Sequence, residues 1–187
     1  MSRIPWPPIL GFGAIVLLAV LAPVLPLPDP VTMDVAHRLA GPSLAHWLGQ
    51  DEFGRDVLTR LLWGARVSLS VAFAASAIAC VAGVALGVAG GFLRGIVEIL
   101  ALRSIDVLLC FPPLLLALLV VTLAGPGAAT LVPVLALVYL PGFTRVAYAG
   151  VLTARSQDYV EAMRVLGAGK GRIMLRTILP NIGGPVL

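Results

Sequence analysis

Glu161–Asn181 reads EAMRVLGAGKGRIMLRTILPN, a segment that carries Arg164, Lys170, Arg172 and Arg176, is spaced by glycines and closes on Pro180. Asp158, just upstream, and Glu161 fall in the first turns of a helix expected over 156–166, where the helix dipole favours acids and Ser156 can act as the cap. Tyr159, Ala162, Met163 and Leu166 recur at i, i+3, i+4 and i+7 and share one apolar face. Gly167 follows as the stop, because glycine takes the left-handed conformation that ends helices. A second short helix is expected over about 170–178, with Pro180 closing it. An apolar helix face displayed among so many cations must meet either lipid headgroups or a protein groove.

The rest of the chain says which solvent surrounds that segment. Of its 187 residues 59% are hydrophobic and only 12% are charged, which is more apolar surface than one soluble core of this length can bury. The bilayer is the expected solvent, and the expected class is an all-α polytopic membrane protein. A net charge of +4 would point to nucleic acid only on a soluble fold with a basic patch, whereas here the cations flank apolar runs, so no nucleic-acid partner is expected. Cys80 and Cys110 lie inside apolar runs without paired spacing, which gives neither a disulfide framework nor a metal site.

Charge-free runs mark the spans. The first runs from Ile4 to Pro28, with an apolar part over about 9–27 that is long enough to cross and whose far end Pro23, Pro26 and Pro28 should fray. It reads as a signal anchor, with a cleaved signal peptide as the competitor; no clear cleavage site follows. The second lies between Arg66 and Arg94 and is one long span. The third, between Asp106 and Arg145, is interrupted by Gly125-Pro126-Gly127 and reads as a hairpin of two spans, about 107–124 and 129–145. Four spans result, and the residues after Arg176 can begin a fifth.

Loop cations orient these spans. The 28–66 segment has four arginines against five acids, net −1, whereas 145–187 has Arg145, Arg155, Arg164, Lys170, Arg172 and Arg176 against Asp158 and Glu161, net +4. The tail is therefore cytoplasmic, Arg3 lies on the same side, the 28–66 segment is external, and 94–106 is a short cytoplasmic turn.

Along the second span Ala75, Ala79, Gly83, Gly87 and Gly91 recur every fourth residue, a stripe that lets another helix backbone approach closely. Its neighbour is either one of this chain's own spans or a second subunit. Phe111-Pro112-Pro113 and Pro141-Gly142 should kink or break the third and fourth spans. Broken helices at membrane depth are tolerated beside protein or a water-filled path, so a conduit stands beside plain kinking as a reading. Asp106, with Arg103 one turn away, reads as an end-of-helix residue rather than a buried relay.

Catalytic chemistry is not in view. His37 and His46 form no metal-holding spacing, and no span carries a base beside a serine or cysteine nucleophile. GAGKG at 167–171 lacks both the leading glycine of a phosphate loop, where Arg164 stands, and the Ser or Thr after Lys170, where Gly171 stands. The chain is expected to be no enzyme and to hold no cofactor or metal. Any work it performs must draw energy from a partner.

Glu161, Ala162, Gly167, Leu179 and Pro180 match in register the EAA loop of the membrane-spanning permease subunits of ATP-binding-cassette importers, which runs E-A-A, then Gly six residues after the Glu, then I-x-L-P. Met163 replaces the second alanine and Thr177 stands at the isoleucine position. HWLGQDEFGRDVLTRLLWGARVSL, His46 to Leu69, is similar to the external segment of the dipeptide, oligopeptide and nickel branch, through His46, Leu48-Gly49, Asp51, Gly54-Arg55-Asp56, Arg60, Gly64, Arg66 and Ser68-Leu69. DVLLCFPPLLLAL, from Asp106 to Leu118, resembles the same branch's third span.

The resemblance implies the type I importer permease fold, usually of six spans, and a multi-pass place in the bacterial inner membrane. It implies a first span over 1–30, an extracytoplasmic segment over 31–66 and a permease core over 67–187 containing a cytoplasmic coupling loop at 155–181. In that loop Tyr159, Glu161, Ala162, Met163, Leu166, Gly167, Leu179 and Pro180 would dock on an ATPase, while Ala79, Gly83, Gly87 and Gly91 would serve helix packing. The implied partners are a second permease subunit in a heterodimer, two cytoplasmic ATPase subunits and an extracytoplasmic solute-binding protein. The implied cargo is peptides or related small solutes. The alternatives are a nonenzymatic membrane scaffold or pore that binds another cytoplasmic partner, and a permease whose missing last spans leave it unable to transport.

Overall fold

The computed structural model describes residues 6–186; Arg3, expected at the cytoplasmic end of the first span, lies outside them. Among the described residues regular structure is helical, apart from one isolated bridge between Gln50 and Asp56. The chain divides into two compact units, one reaching Val71 and the other starting at Ala72.

In the first unit α1 (Trp6–Leu21) is an apolar helix of 16 residues, shorter than the roughly 20 that cross a bilayer unaided. It stops just before Pro23, and its last carbonyl, Leu21 O, accepts the N–H groups of Val24 and Leu25. A polar knot follows. Asp51 Oδ1 accepts the backbone N–H groups of Phe53 and Arg55, and its Oδ2 accepts Arg55 Nε–H at 2.8 Å. Gly54 supplies the turn at φ +74°, in a position where any Cβ would run into the backbone of Asp34. Gln50 Nε2–H closes the knot by donating to Gly54 O at 2.8 Å.

That knot ends in a helix cap. Asp56, only 4% exposed, accepts the Thr59 N–H at 2.8 Å and the Thr59 hydroxyl at 2.7 Å, which satisfies a free donor of the first turn of α2 (Val57–Leu93). His46 Nδ1 lies 2.9 Å from the other carboxylate oxygen and, facing an acceptor, carries its proton there. Burial pushes the Asp56 carboxyl up, but the hydrogen bonds from Thr59 and His46 outweigh it and hold the group below the ordinary value of 3.8.

Within the second unit α2 is followed by α3 (Ile96–Leu109), α4 (Pro113–Ala124) and α5 (Ala128–Arg155), and both α3 and α4 pack on α5. Side chains sort here in the manner of lipid rather than water. Many buried positions are small, as at Ala75, Ala79 and Ala147, while large apolar residues such as Phe73, Val81, Leu114 and Leu123 are exposed. A fold with large apolar groups outside is stable only where its surroundings are apolar too.

Two of these helices, α2 and α5, are long and apolar enough to cross a membrane, and α3 with α4 makes a third crossing if the bent pair is one span. That pair carries the kink or break expected at Phe111-Pro112-Pro113, which falls inside the span expected over 107–124. Pro112 and Pro113 lack N–H groups to continue α3, so the chain breaks there and α4 leaves at 81°. The expected 94–106 turn is also helical almost throughout, because only Arg94 and Gly95, both at positive φ, separate α2 from α3. Asp106 thus stands inside α3, with Arg145 of α5 at 3.5 Å and Arg103 at 4.0 Å. By contrast α5 runs through Pro133 and Pro141 as one helix, so of the kink or break expected at Pro141-Gly142 there is no break. The hairpin at 125–127 is present, and Gly125, at φ +86°, takes the turn that only glycine adopts easily.

Candidate functional site

The small-residue stripe on α2 faces α5. A Cβ added to Gly83 would lie 2.8 Å from Phe143 Cβ and 2.9 Å from Leu140 O, and one on Gly91 would lie 3.0 Å from Val151 Cβ. At Gly87 it would strike Thr144 O and sit 2.8 Å from Ala147 Cβ. Ala79 is fully buried. Because Gly91 has no side chain, its carbonyl is reachable, and Arg155 at the end of α5 donates to it at 3.1 Å. A cation there also complements the negative end of α2.

On this helix pair rests the loop that the sequence singled out. The α6 helix (Asp158–Val165) begins one residue later than a Ser156 cap implies, with Gln157 at its cap position. Ser156 instead closes α5, its hydroxyl donating to Thr153 O at 2.9 Å. Asp158 and Glu161 occupy the first turn, where acids are favoured. At the other end the Gly167 N–H donates to Arg164 O and the Ala168 N–H to Met163 O, both at 3.0 Å, while Gly167 sits at φ +78°. Those paired bonds form a Schellman cap, and glycine's left-handed conformation makes it possible.

What anchors α6 is a residue absent from the expected face. Val160 is 0% exposed and joins a cluster with Val88 of α2, Val151 and Ala154 of α5, and Ile173 and Ile178 beyond the bend. Met163 packs partly against the same cluster. Tyr159, Glu161, Ala162 and Leu166 point outward, and Leu166 is 80% exposed beside Val165 at 83%. The expected apolar face is therefore mostly the unpartnered one. Its i, i+3, i+4, i+7 spacing marked a real face, but not which side the core would take.

Beyond the bend, α7 (Lys170–Arg172) runs into a π-helical turn, Ile173–Ile178, and on through α8 (Leu179–Asn181) to α9 (Gly183–Val186). Pro180 therefore does not close the helix as expected. A proline inside an α-helix removes one hydrogen bond and crowds the carbonyl four residues back, and here the turn before Pro180 is widened. The widening is visible in Leu179 N–H, which donates to Met174 O five residues earlier. It also decides the packing. In an α-helix Ile173 and Ile178 would point about 140° apart, whereas a turn closed over five residues puts both into the core. Leu179 is half-buried against the cluster and Pro180 is exposed.

Comparisons with known proteins agree with this geometry. Residues 82–187 match the family described as "Binding-protein-dependent transport system inner membrane component". A dipeptide transport system permease protein of Alkalihalophilus pseudofirmus is 36% identical over 92% of this chain and 57% of its own length. A di/tripeptide transport system permease of Pseudomonas aeruginosa is 40% identical over 80% of this chain and 49% of its own. A glutathione transport system permease of Pectobacterium atrosepticum is 38% identical over 75% of this chain and 47% of its own. The chain thus spans about half the length of these relatives. It is a multi-pass protein of the inner membrane and belongs to the family of binding-protein-dependent transport system inner membrane components.

Proposed function

We propose that the chain serves as the membrane-spanning permease subunit of an ATP-binding-cassette importer for peptides or related small solutes, coupling ATP hydrolysis by partner ATPases to movement of its spans. The observation that carries this reading is the construction of α6. One side is locked through Val160 to the core shared by α2 and α5, and the other side offers Tyr159, Ala162 and Leu166 with nothing covering them. A short helix built this way acts as a lever: force applied to its free face passes through packed side chains into two long helices. The Schellman cap at Gly167 fixes the angle at which the lever meets the rest of the loop.

The peptide permeases among the relatives favour peptides as cargo. The energy would come from two ATPase subunits on the cytoplasmic side. A second permease subunit and an extracytoplasmic binding protein would complete the assembly. The function is tested by assembling the chain with these partners in vesicles and measuring peptide uptake with and without ATP. Uptake that requires ATP supports the reading. Uptake that is equal without ATP would instead favour a passive pore. Gly167→Asp should lower ATPase co-purification: its Cβ meets open space, so the effect comes from the positive φ and from a carboxylate placed at the bend. Unchanged co-purification would count against docking at this bend.

A further inference from the structure

We propose that the cleft walled by Arg155, Arg164 and Lys170 seats the phosphate-bearing headgroup of an anionic membrane lipid. This cleft, of about 450 Å³, lies where the end of α2, the end of α5 and the bend of the loop converge. Its three cations come from three different helices. None of them has a carboxylate within ion-pair distance among the described residues. Arg155 uses one guanidinium nitrogen on Gly91 O, which leaves its remaining donors for a second acceptor. Arg164 and Lys170 are exposed. Three cations converging on one void without an anion leave a concentrated positive field that a phosphate would neutralise.

The walls say that the anion carries chains. Phe92 and Leu93 are the last residues of α2, immediately before Arg94, so the cleft opens where the apolar run ends and headgroups begin. Leu93 is exposed, and Ile173 forms the apolar side toward the loop. An acidic segment of a soluble partner could reach Arg164 and Lys170, but it would gain nothing from an apolar wall continuous with a membrane helix. Basic pockets between membrane helices on the cytoplasmic side suit anionic headgroups for this reason. A lipid seated there would tie the bend beside Gly167 to the ends of both long helices.

The test uses the purified full chain in neutral detergent, offered phosphatidylglycerol or phosphatidylcholine, with retained lipid counted by native mass spectrometry. The chain should retain phosphatidylglycerol in preference, and excess inorganic phosphate should not displace it. Arg164→Gln with Lys170→Gln should weaken retention roughly thirtyfold, and Lys170→Gln alone, on the exposed loop, by several-fold. Arg172→Gln with Arg176→Gln, outside the cleft, should leave it unchanged. Equal retention of both lipids, unchanged retention in the cleft variants, or displacement by inorganic phosphate would overturn the proposal. Cleft variants that keep the lipid but lose the ATPase would assign the cations to an acidic protein segment, which also overturns it.

Discussion

Gly87→Ala adds one methyl group at the closest approach of α2 to α5. Alanine normally gains about 1 kcal/mol over glycine inside a helix, so a site with space should become more stable. Gly142 is such a site, since a Cβ there meets nothing within 4 Å. At Gly87 the new Cβ would strike Thr144 O and lie 2.8 Å from Ala147 Cβ and 2.9 Å from Tyr148 N. Two of those three atoms are backbone and cannot rotate away, and Thr144 is itself fully buried. Relief requires α5 to shift, and overpacking of this kind costs about 1–3 kcal/mol. The helix-preference gain is common to both variants, so the difference between them isolates the overpacking. For a chain of this size it corresponds to a Tm of Gly87→Ala lower than that of Gly142→Ala by about 2–12 °C. The assay is thermal unfolding of the purified chain in detergent, followed by circular dichroism, with both variants run together. A Gly87→Ala protein that melts at or above Gly142→Ala would refute the close approach.

Other perturbations separate the loop from the polar knot. Ile178→Ala should destabilise the core beneath α6 by about 2–5 kcal/mol, seen as faster amide exchange over 158–182 while α2 and α5 keep their protection. Equal exchange in the variant would show that the π-turn does not anchor the loop. Because the folded Asp56 carboxyl sits below its ordinary value, protonation favours the unfolded chain. Its contribution is complete above that value and is lost as pH falls through the folded one. The Tm should therefore drop as pH falls below the ordinary value of 3.8, and Asp56→Asn should lower the Tm near neutral pH while flattening that drop. An acid-induced drop of undiminished size in Asp56→Asn would place the sensitivity at Asp34 or Asp51, which are held low as well.

Much of this molecule was legible in its residues, for reasons that differ by element. The long charge-free run after Arg66 forms the greater part of α2, because a membrane helix satisfies its own backbone and needs only apolar length, but the helix already starts at Val57 inside the segment expected to be external. The stripe at Gly83, Gly87 and Gly91 was readable because small residues at fourfold spacing have few other uses in lipid. Pro112-Pro113 marked a break correctly, but the angle was not readable, since only packing on α5 sets it. Pro141 showed the converse, a proline tolerated inside a helix that neighbours hold in place. In the loop the apolar positions of α6 were visible, but periodicity alone did not say that Val160 would turn inward. The Ile173 and Ile178 pair was hidden because a five-residue spacing has no meaning until the π-turn exists.

The most direct measurement is the amount of ATPase recovered with the purified chain when the two are co-expressed, compared between the unaltered protein and Leu166→Asp. Leu166 is 80% exposed and outside the buried cluster, so the substitution should leave the fold intact and place a charge on the free face of α6. A docking lever predicts that most of the ATPase is lost while the helix content by circular dichroism stays the same. Full recovery of the ATPase with Leu166→Asp, and with Tyr159→Ala beside it, would contradict docking through this face.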